Sequence, residues 1–187
     1  MIQNVYELSS DTERFSSFIE RYSAHEESIM GRAMARRWQR FDSRYAPITL
    51  ELSRSDSGRR SYDFDLSAAL CPFLIFSESA LDALNSTLPA SGQVLEVLTE
   101  SKRRRFYGYY PTNALRDCFD KHRSRFQTAQ NGLVVDTPVL LRDRLRGESL
   151  FTIEEDIKRV FVTEEFKRAV ESSKLLGFDF SRRVPLS

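Results

Sequence analysis

The chain has little of what most enzyme sites are built from. Only two histidines, His25 and His122, and two cysteines, Cys71 and Cys118, occur in 187 residues. No GxSxG elbow singles out one of its many serines as a nucleophile, and neither GxxxxGK[ST] nor GxGxxG is present to cradle a nucleotide. Cysteines this few and far apart, each among apolar residues, fit reduced buried thiols better than a disulfide framework. Net charge is nearly absent as well: 28 basic side chains meet 27 acidic ones. A balance of +1 gives the molecule as a whole no pull on nucleic acid or anionic lipid. Long hydrophobic runs are missing; AALCPFLIF at 68–76 has about half of the roughly 20 residues a bilayer span needs. The polar, acidic start MIQNVYELSSDTERF has neither the basic nor the apolar region of a secretory signal. The expectation is a cytoplasmic chain with no membrane segment, catalytic residue, cofactor or metal.

What the chain does have is core material: 41% of its residues are hydrophobic and 14 are Phe, enough for one well-packed domain. No linker rich in Pro, Gly or Ser divides it. Residues 1–60 are read as an N-terminal helical and strand segment of the same domain as the 61–187 core. Ser10 and Glu13 have capping-box spacing, and Phe15, Phe18, Ile19 and Tyr22 repeat at i, i+3, i+4, i+7, which predicts a helix over SSDTERFSSFIERY. In ESIMGRAMARRWQRFDSRY, Met30, Met34 and Trp38 would share a helix face, against the helix-weakening Gly31. APITLELSR alternates like a strand, SDSG at 55–58 has turn chemistry, and PFLIF reads as a buried strand.

One pattern occurs twice. PFLIF is followed by Ser77 as cap, Glu78 in the first turn, Leu81, Leu84 and Leu88 on one face, Pro89 as stop, then Gly92 and the strand QVLEVL. RVFV is followed by Thr163 as cap, Glu164 and Glu165, then Phe166, Ala169 and Val170 on one face, then Gly177 and FDF. Between them, QVLEVL and RRRFYGYY pair as a hairpin, TNALRDCFDKH reads as a short helix, and GLVVDTPVLLRDRLRGESLF as strand pieces broken at Pro138 and Gly147. Together these predict an α+β domain: a mixed, mainly antiparallel sheet with helices packed on it.

Candidate chemistry is sparse. Cys118 and His122 are four apart and would share a helix face; with Asp120 they make the alternative of a small hydrolase or transferase. The competing reading is a buried thiol near a surface imidazole. The carboxylate pairs Asp63 and Asp65, Asp117 and Asp120, and Glu154 to Asp156 read as solvated faces or caps. The sharpest local feature is the basic run Lys102 to Arg105 followed by Phe106, Tyr107, Tyr109 and Tyr110. It has three readings: a nucleic-acid platform, a cationic sheet edge that resists aggregation, or a protein contact built on Arg103, Arg105, Tyr107 and Tyr109. The near-zero net charge argues against nucleic acid. Free strand edges leave homo-oligomers open.

Three stretches carry a resemblance: PFLIFSESALDAL, YGYYPTNALRDCFDKHRSRF and KRVFVTEEFKRAVESSKLLGFDF. Over about residues 65 to 180 they resemble the Imm11 family of immunity proteins that accompany bacterial polymorphic toxins. The resemblance implies an α+β cytoplasmic protein that binds and blocks a cognate toxin without catalysis. It carries no catalytic motif across.

Overall fold

Fourteen phenylalanines need somewhere to go, and a curled sheet takes a large share of them. The computed structural model describes residues 2, 4–21, 25–145 and 147–187. Six strands form the larger sheet in the order Ser17–Arg21, Ile48–Ser53, Gly92–Leu98, Phe106–Pro111, Leu74–Ser77, Leu66–Ser67. Neighbours are antiparallel, except that Ile48–Ser53 and Gly92–Leu98 run parallel. The backbone N–H of Phe18, in one end strand, donates to Ser67 Oγ in the other at 3.0 Å, so the sheet curls until its ends meet. Inside the curl lie Phe18, Leu50, Phe64, Phe73, Ile75, Leu95, Phe106 and Tyr110. Phe18 meets Phe64 and Phe106 edge-on at centroid distances of 5.3 and 5.0 Å. Each such pair contributes about 0.5–1.5 kcal/mol beyond its burial.

Helix α1 (Ile29–Arg36) closes this core. Ser28 caps it, accepting from Gly31 N, and Ile29 and Ala33 face inward. The predicted stripe of Met30, Met34 and Trp38 does not form: Ile29 and Ala33 are the buried pair, Met30 and Met34 are half-buried, and the helix stops at Arg36, before Trp38. Arg37 and Trp38 then adopt positive φ and turn the Trp38 ring back into the core.

The second sheet has five strands in the order Arg183–Val184, Val5–Glu7, Asp156–Thr163, Leu150–Ile153, Ala114–Leu115. Its pairs are antiparallel apart from the last. Both of its faces are covered, so every residue of LFTI and of VFV is buried, Thr152 included. Tyr6, Leu150, Val160 and Val162 face the first sheet across a core shared with α2 (Glu78–Ala83), α3 (Leu88–Ser91) and α4 (Glu164–Ser172). Val5, Phe151, Ile153 and Phe161 face the other way, under a cover that includes Cys118, Phe119, Leu140 and Leu145. The fold is thus α+β with mixed, mainly antiparallel sheets in one domain, as the alternation and capping signals predict.

Several local expectations are overturned. The predicted helix over 9–22 is a single turn at 12–14 followed by the strand Ser17–Arg21; Tyr22 lies outside the described residues. Phe18 is buried while Ile19 is 47% exposed, a period of two. Pairing with Ile48–Ser53 and the aromatic core outweighs the helical spacing. Ser10 does not cap: it pairs with Phe178, and its Oγ accepts from Ala68 N. Pro89 does not end the first of the paired helices. That helix stops at Ala83, and Pro89 sits in the first turn of α3, where its missing N–H costs nothing. TNALRDCFDKH is not helical; Ala114–Leu115 pairs with the second sheet, Asp117 adopts φ +56°, and residues 121–123 form a turn.

Candidate functional site

The hairpin expected from QVLEVL and RRRFYGYY forms, with Gly92 opposite Pro111 and Glu96 opposite Tyr107. It is not an edge. Phe106–Pro111 lies between two other strands, so the cationic-edge reading fails: there is no free edge there to protect. Gly92 begins the hairpin because a Cβ would lie 2.4 Å from the Tyr109 ring.

The four residues expected to contact a partner separate. Arg103 and Arg105 are exposed, and Tyr107 is half-buried. Tyr109 is 0% exposed, its hydroxyl donating to Leu88 O at 2.8 Å. It is a core residue between the sheets and can touch no partner. Alternation alone does not reveal this: Tyr107 and Tyr109 share a face of the strand, and Tyr109 is the one that stands beneath α3.

Arg104, between the two exposed arginines, turns inward. Its Nη2 donates to Asp65 Oδ1 at 2.5 Å and its Nη1 to Tyr62 O at 3.0 Å, with the guanidinium 5.8 Å from the Phe106 ring centre. Asp65 also accepts from Ser77 Oγ at 2.5 Å and from Leu176 N at 2.8 Å. One buried carboxylate thereby fixes the basic loop, the start of α2 and the C-terminal segment. Of the run Lys102 to Arg105, Arg104 is scaffold, Arg105 lies 3.7 Å from Glu78, and Lys102 and Arg103 stand in solvent.

The hairpin borders a larger feature. Cross-strand register places Ile19, Glu51, Thr49, Leu98, Glu96, Val94 and Tyr107 on the outer face of the curled sheet. Tyr109, Leu74, Phe76 and Leu66 continue that face and are covered by helices and the second sheet. The first half is not covered: Ile19, Val94 and Leu98 are 47%, 45% and 55% exposed. Glu96 to Leu98 and Arg104 to Tyr107 line a shallow groove of about 380 Å³ at its end.

The alternative catalytic trio does not assemble. Cys118 is buried, and burial pushes its thiol up to about 12, away from thiolate chemistry. His122 points from an exposed turn. Asp120 builds that turn, accepting from His122 N at 3.0 Å and Arg123 N at 3.2 Å. Hydrogen bonds from Ser187 and from these amides hold its carboxyl below the usual range. Without the predicted helix, nothing places Cys118 and His122 on one face. Cys71 is likewise a free thiol, donating to Lys158 O at 3.0 Å.

The carboxylate pairs also differ from the solvated-face reading. One member of each is buried and structural: Asp65, Asp120 and Asp156. Asp156 pairs with Arg159 at 2.5 Å, and Arg159 reaches on to Glu7 and to the carbonyls of Val135 and Asp136, pinning the hairpin of Arg125–Ala129 and Gly132–Thr137 to the second sheet. Among the described residues, no three His, Cys, Asp or Glu side chains gather to hold a metal ion. Among the same described residues, no helix is long and apolar enough to cross a membrane.

Comparison with curated proteins returns no match. Comparison with protein families does: the model of the immunity protein family, Imm11, matches residues 4–184, nearly the whole chain. The strand and helix units at both ends of the resemblance fall inside that match, as does the turn built on Asp120. The chain belongs to the Imm11 immunity protein family.

Proposed function

We propose that this protein binds a cognate bacterial toxin in the cytoplasm and neutralises it without catalysis. Membership of an immunity family over residues 4–184 carries the reading. The contact we assign is the exposed end of the hairpin, Arg103, Arg105 and Tyr107, continued by Val94, Leu98 and Ile19 on the uncovered sheet face. Arginine and tyrosine beside exposed aliphatic groups are the side chains that supply most interface energy. Strand backbones position Tyr107, Val94, Leu98 and Ile19 before binding, and the bonds of Arg104 to Asp65 and of Glu78 N to Arg105 O hold the loop that carries Arg103 and Arg105, so little ordering entropy opposes association.

The test is co-expression with the toxin encoded beside the gene. Cells making both should survive, and the two proteins should co-elute. The variant R103E/R105E should keep its melting temperature, because both side chains are solvent-exposed, and should bind at least tenfold more weakly, about 1.4 kcal/mol. Death of co-expressing cells together with separate elution would defeat the reading. Unchanged affinity in R103E/R105E would remove the hairpin from it.

A further inference from the structure

Charge is balanced over the whole chain but unbalanced around the end of α1, as it is in the run Lys102 to Arg105. Residues 31–45 carry Arg32, Arg36, Arg37, Arg40 and Arg44 against Asp42 alone, a local +4 in a chain whose total is +1. The end of α1 and the turn after it hold this charge. Tyr110 secures the turn from below: its hydroxyl donates to Ala33 O at 2.8 Å and accepts from Trp38 N at 2.7 Å. Gln93 clamps Phe41 through both of its backbone groups, at 2.8 and 3.1 Å. Tyr45 donates to Glu96 O at 2.8 Å. The arginines therefore project from backbone anchored to the strand Gly92–Leu98, the same strand that displays Val94 and Leu98.

The arginines exceed their local partners. Asp42 serves both Arg36 and Arg44, at 3.3 and 2.8 Å. Arg32 lies 3.8 Å from Glu20, and its buried Nε has no hydrogen-bond partner among the described residues. Arg37 donates to Asn131 O at 2.6 Å, a neutral acceptor. Arg40 is exposed and makes no ion pair among the described residues. Arg32, Arg36, Arg44, Phe41 and Tyr45 line a shallow groove of about 320 Å³, with Glu27 and Asp42 as its acids. Such a groove takes carboxylate side chains: guanidinium forks bind carboxylates in two-point geometry, and several donors here are unused.

We propose that this arginine turn is an electropositive docking surface for an acidic patch on a partner protein. Resting on the immunity reading, that partner is the toxin. Nucleic acid fits less well. Single strands need exposed rings to stack on, and Trp38 and Phe41 are buried.

The experiment measures association of the purified toxin encoded beside the gene with the wild-type protein and with R40E/R44E, at low and high salt. Arg40 and Arg44 are exposed, so the variant should keep its melting temperature. The wild-type association rate should fall steeply with salt, and R40E/R44E should associate at least tenfold more slowly at low salt with a flattened salt dependence. If the wild type binds and the variant associates equally fast with the same salt dependence, the docking surface is wrong while the immunity reading stands. If the variant fails to fold, the wild-type profile decides: a salt-independent rate overturns the proposal. If the wild type does not bind the toxin, both fall. A single-stranded DNA oligonucleotide is the further arm. Binding that R40E/R44E abolishes, with displacement of toxin, would reassign the surface to nucleic acid.

Discussion

Two stretches that look alike as text, PFLIFSESALDAL and RVFVTEEFKRAV, start their helices by different means. In the first, Ser77 is a true cap: its Oγ accepts from Ala80 N at 3.1 Å and donates to buried Asp65. In the second, Thr163 occupies the cap position, but its buried hydroxyl has no hydrogen-bond partner among the described residues. The acid that follows does the anchoring. Glu164 accepts from Tyr6 Oη at 2.6 Å and from Asn4 Nδ2 at 3.2 Å, tying α4 to the strand Val5–Glu7. The glycines that end the two units differ too: Gly92 makes room for Tyr109, whereas Gly177 adopts φ +84° beside Phe64. The units belong to different sheets and meet through α2 and α4 in the core between them. A hydroxyl followed by a glutamate thus starts each helix for a different physical reason.

Substitutions can break this comparison, beginning at the node behind Ser77. Asp65→Ala should have the largest effect. It strands the largely buried Arg104 and leaves Ser77 Oγ and Leu176 N without their acceptor, a loss of about 3 kcal/mol measurable by urea unfolding. Ser77→Ala removes the cap and one bond to Asp65 and should cost about 1–2 kcal/mol. Tyr6→Phe should cost about 1 kcal/mol at neutral pH, with a pH signature. The hydrogen bond from Tyr6 is the main cause holding the Glu164 carboxyl below its usual value. A depressed carboxylate contributes stability above its unfolded value, near 4.3, and loses it as pH falls through the folded value. The gap between wild type and Tyr6→Phe should therefore close on acidification below about pH 4. Thr163→Val should be the smallest, within about 0.5 kcal/mol of wild type, because the hydroxyl makes no bond to lose. A Thr163→Val loss equal to that of Ser77→Ala would erase the distinction.

Much of the scaffold was legible in the residues. Alternation marked Ile48–Ser53, the apolar run marked Leu74–Ser77, and a hydroxyl before glutamate marked the starts of α2 and α4. Illegible parts were those where distant pairing decides. Phe15, Phe18 and Ile19 are spaced like a helix, yet Phe18 is drawn into a ring cluster with Phe64 and Phe106, and a helix cannot deliver it there. TNALRDCFDKH has helix-forming residues, but Ala114 and Leu115 complete the second sheet. Of the four residues expected to meet a partner, the structure leaves Arg103, Arg105 and Tyr107 accessible. Tyr109 is buried because the cover over its part of the strand face comes from elements outside the hairpin. The arginine turn after α1 is visible as composition, but Met30, Met34 and Trp38 in the same stretch have the spacing of a packing face, which masks it.

The central claim is neutralisation by occupancy, and a titration of toxin activity tests it most directly. Adding purified protein to a fixed amount of toxin should lower its activity in proportion until none remains at equimolar ratio, with the complex recovered intact by size-exclusion chromatography. Complete loss of toxin activity at a small fraction of that ratio, growing with time and leaving no complex, would mean that the protein acts catalytically, and the account would be wrong.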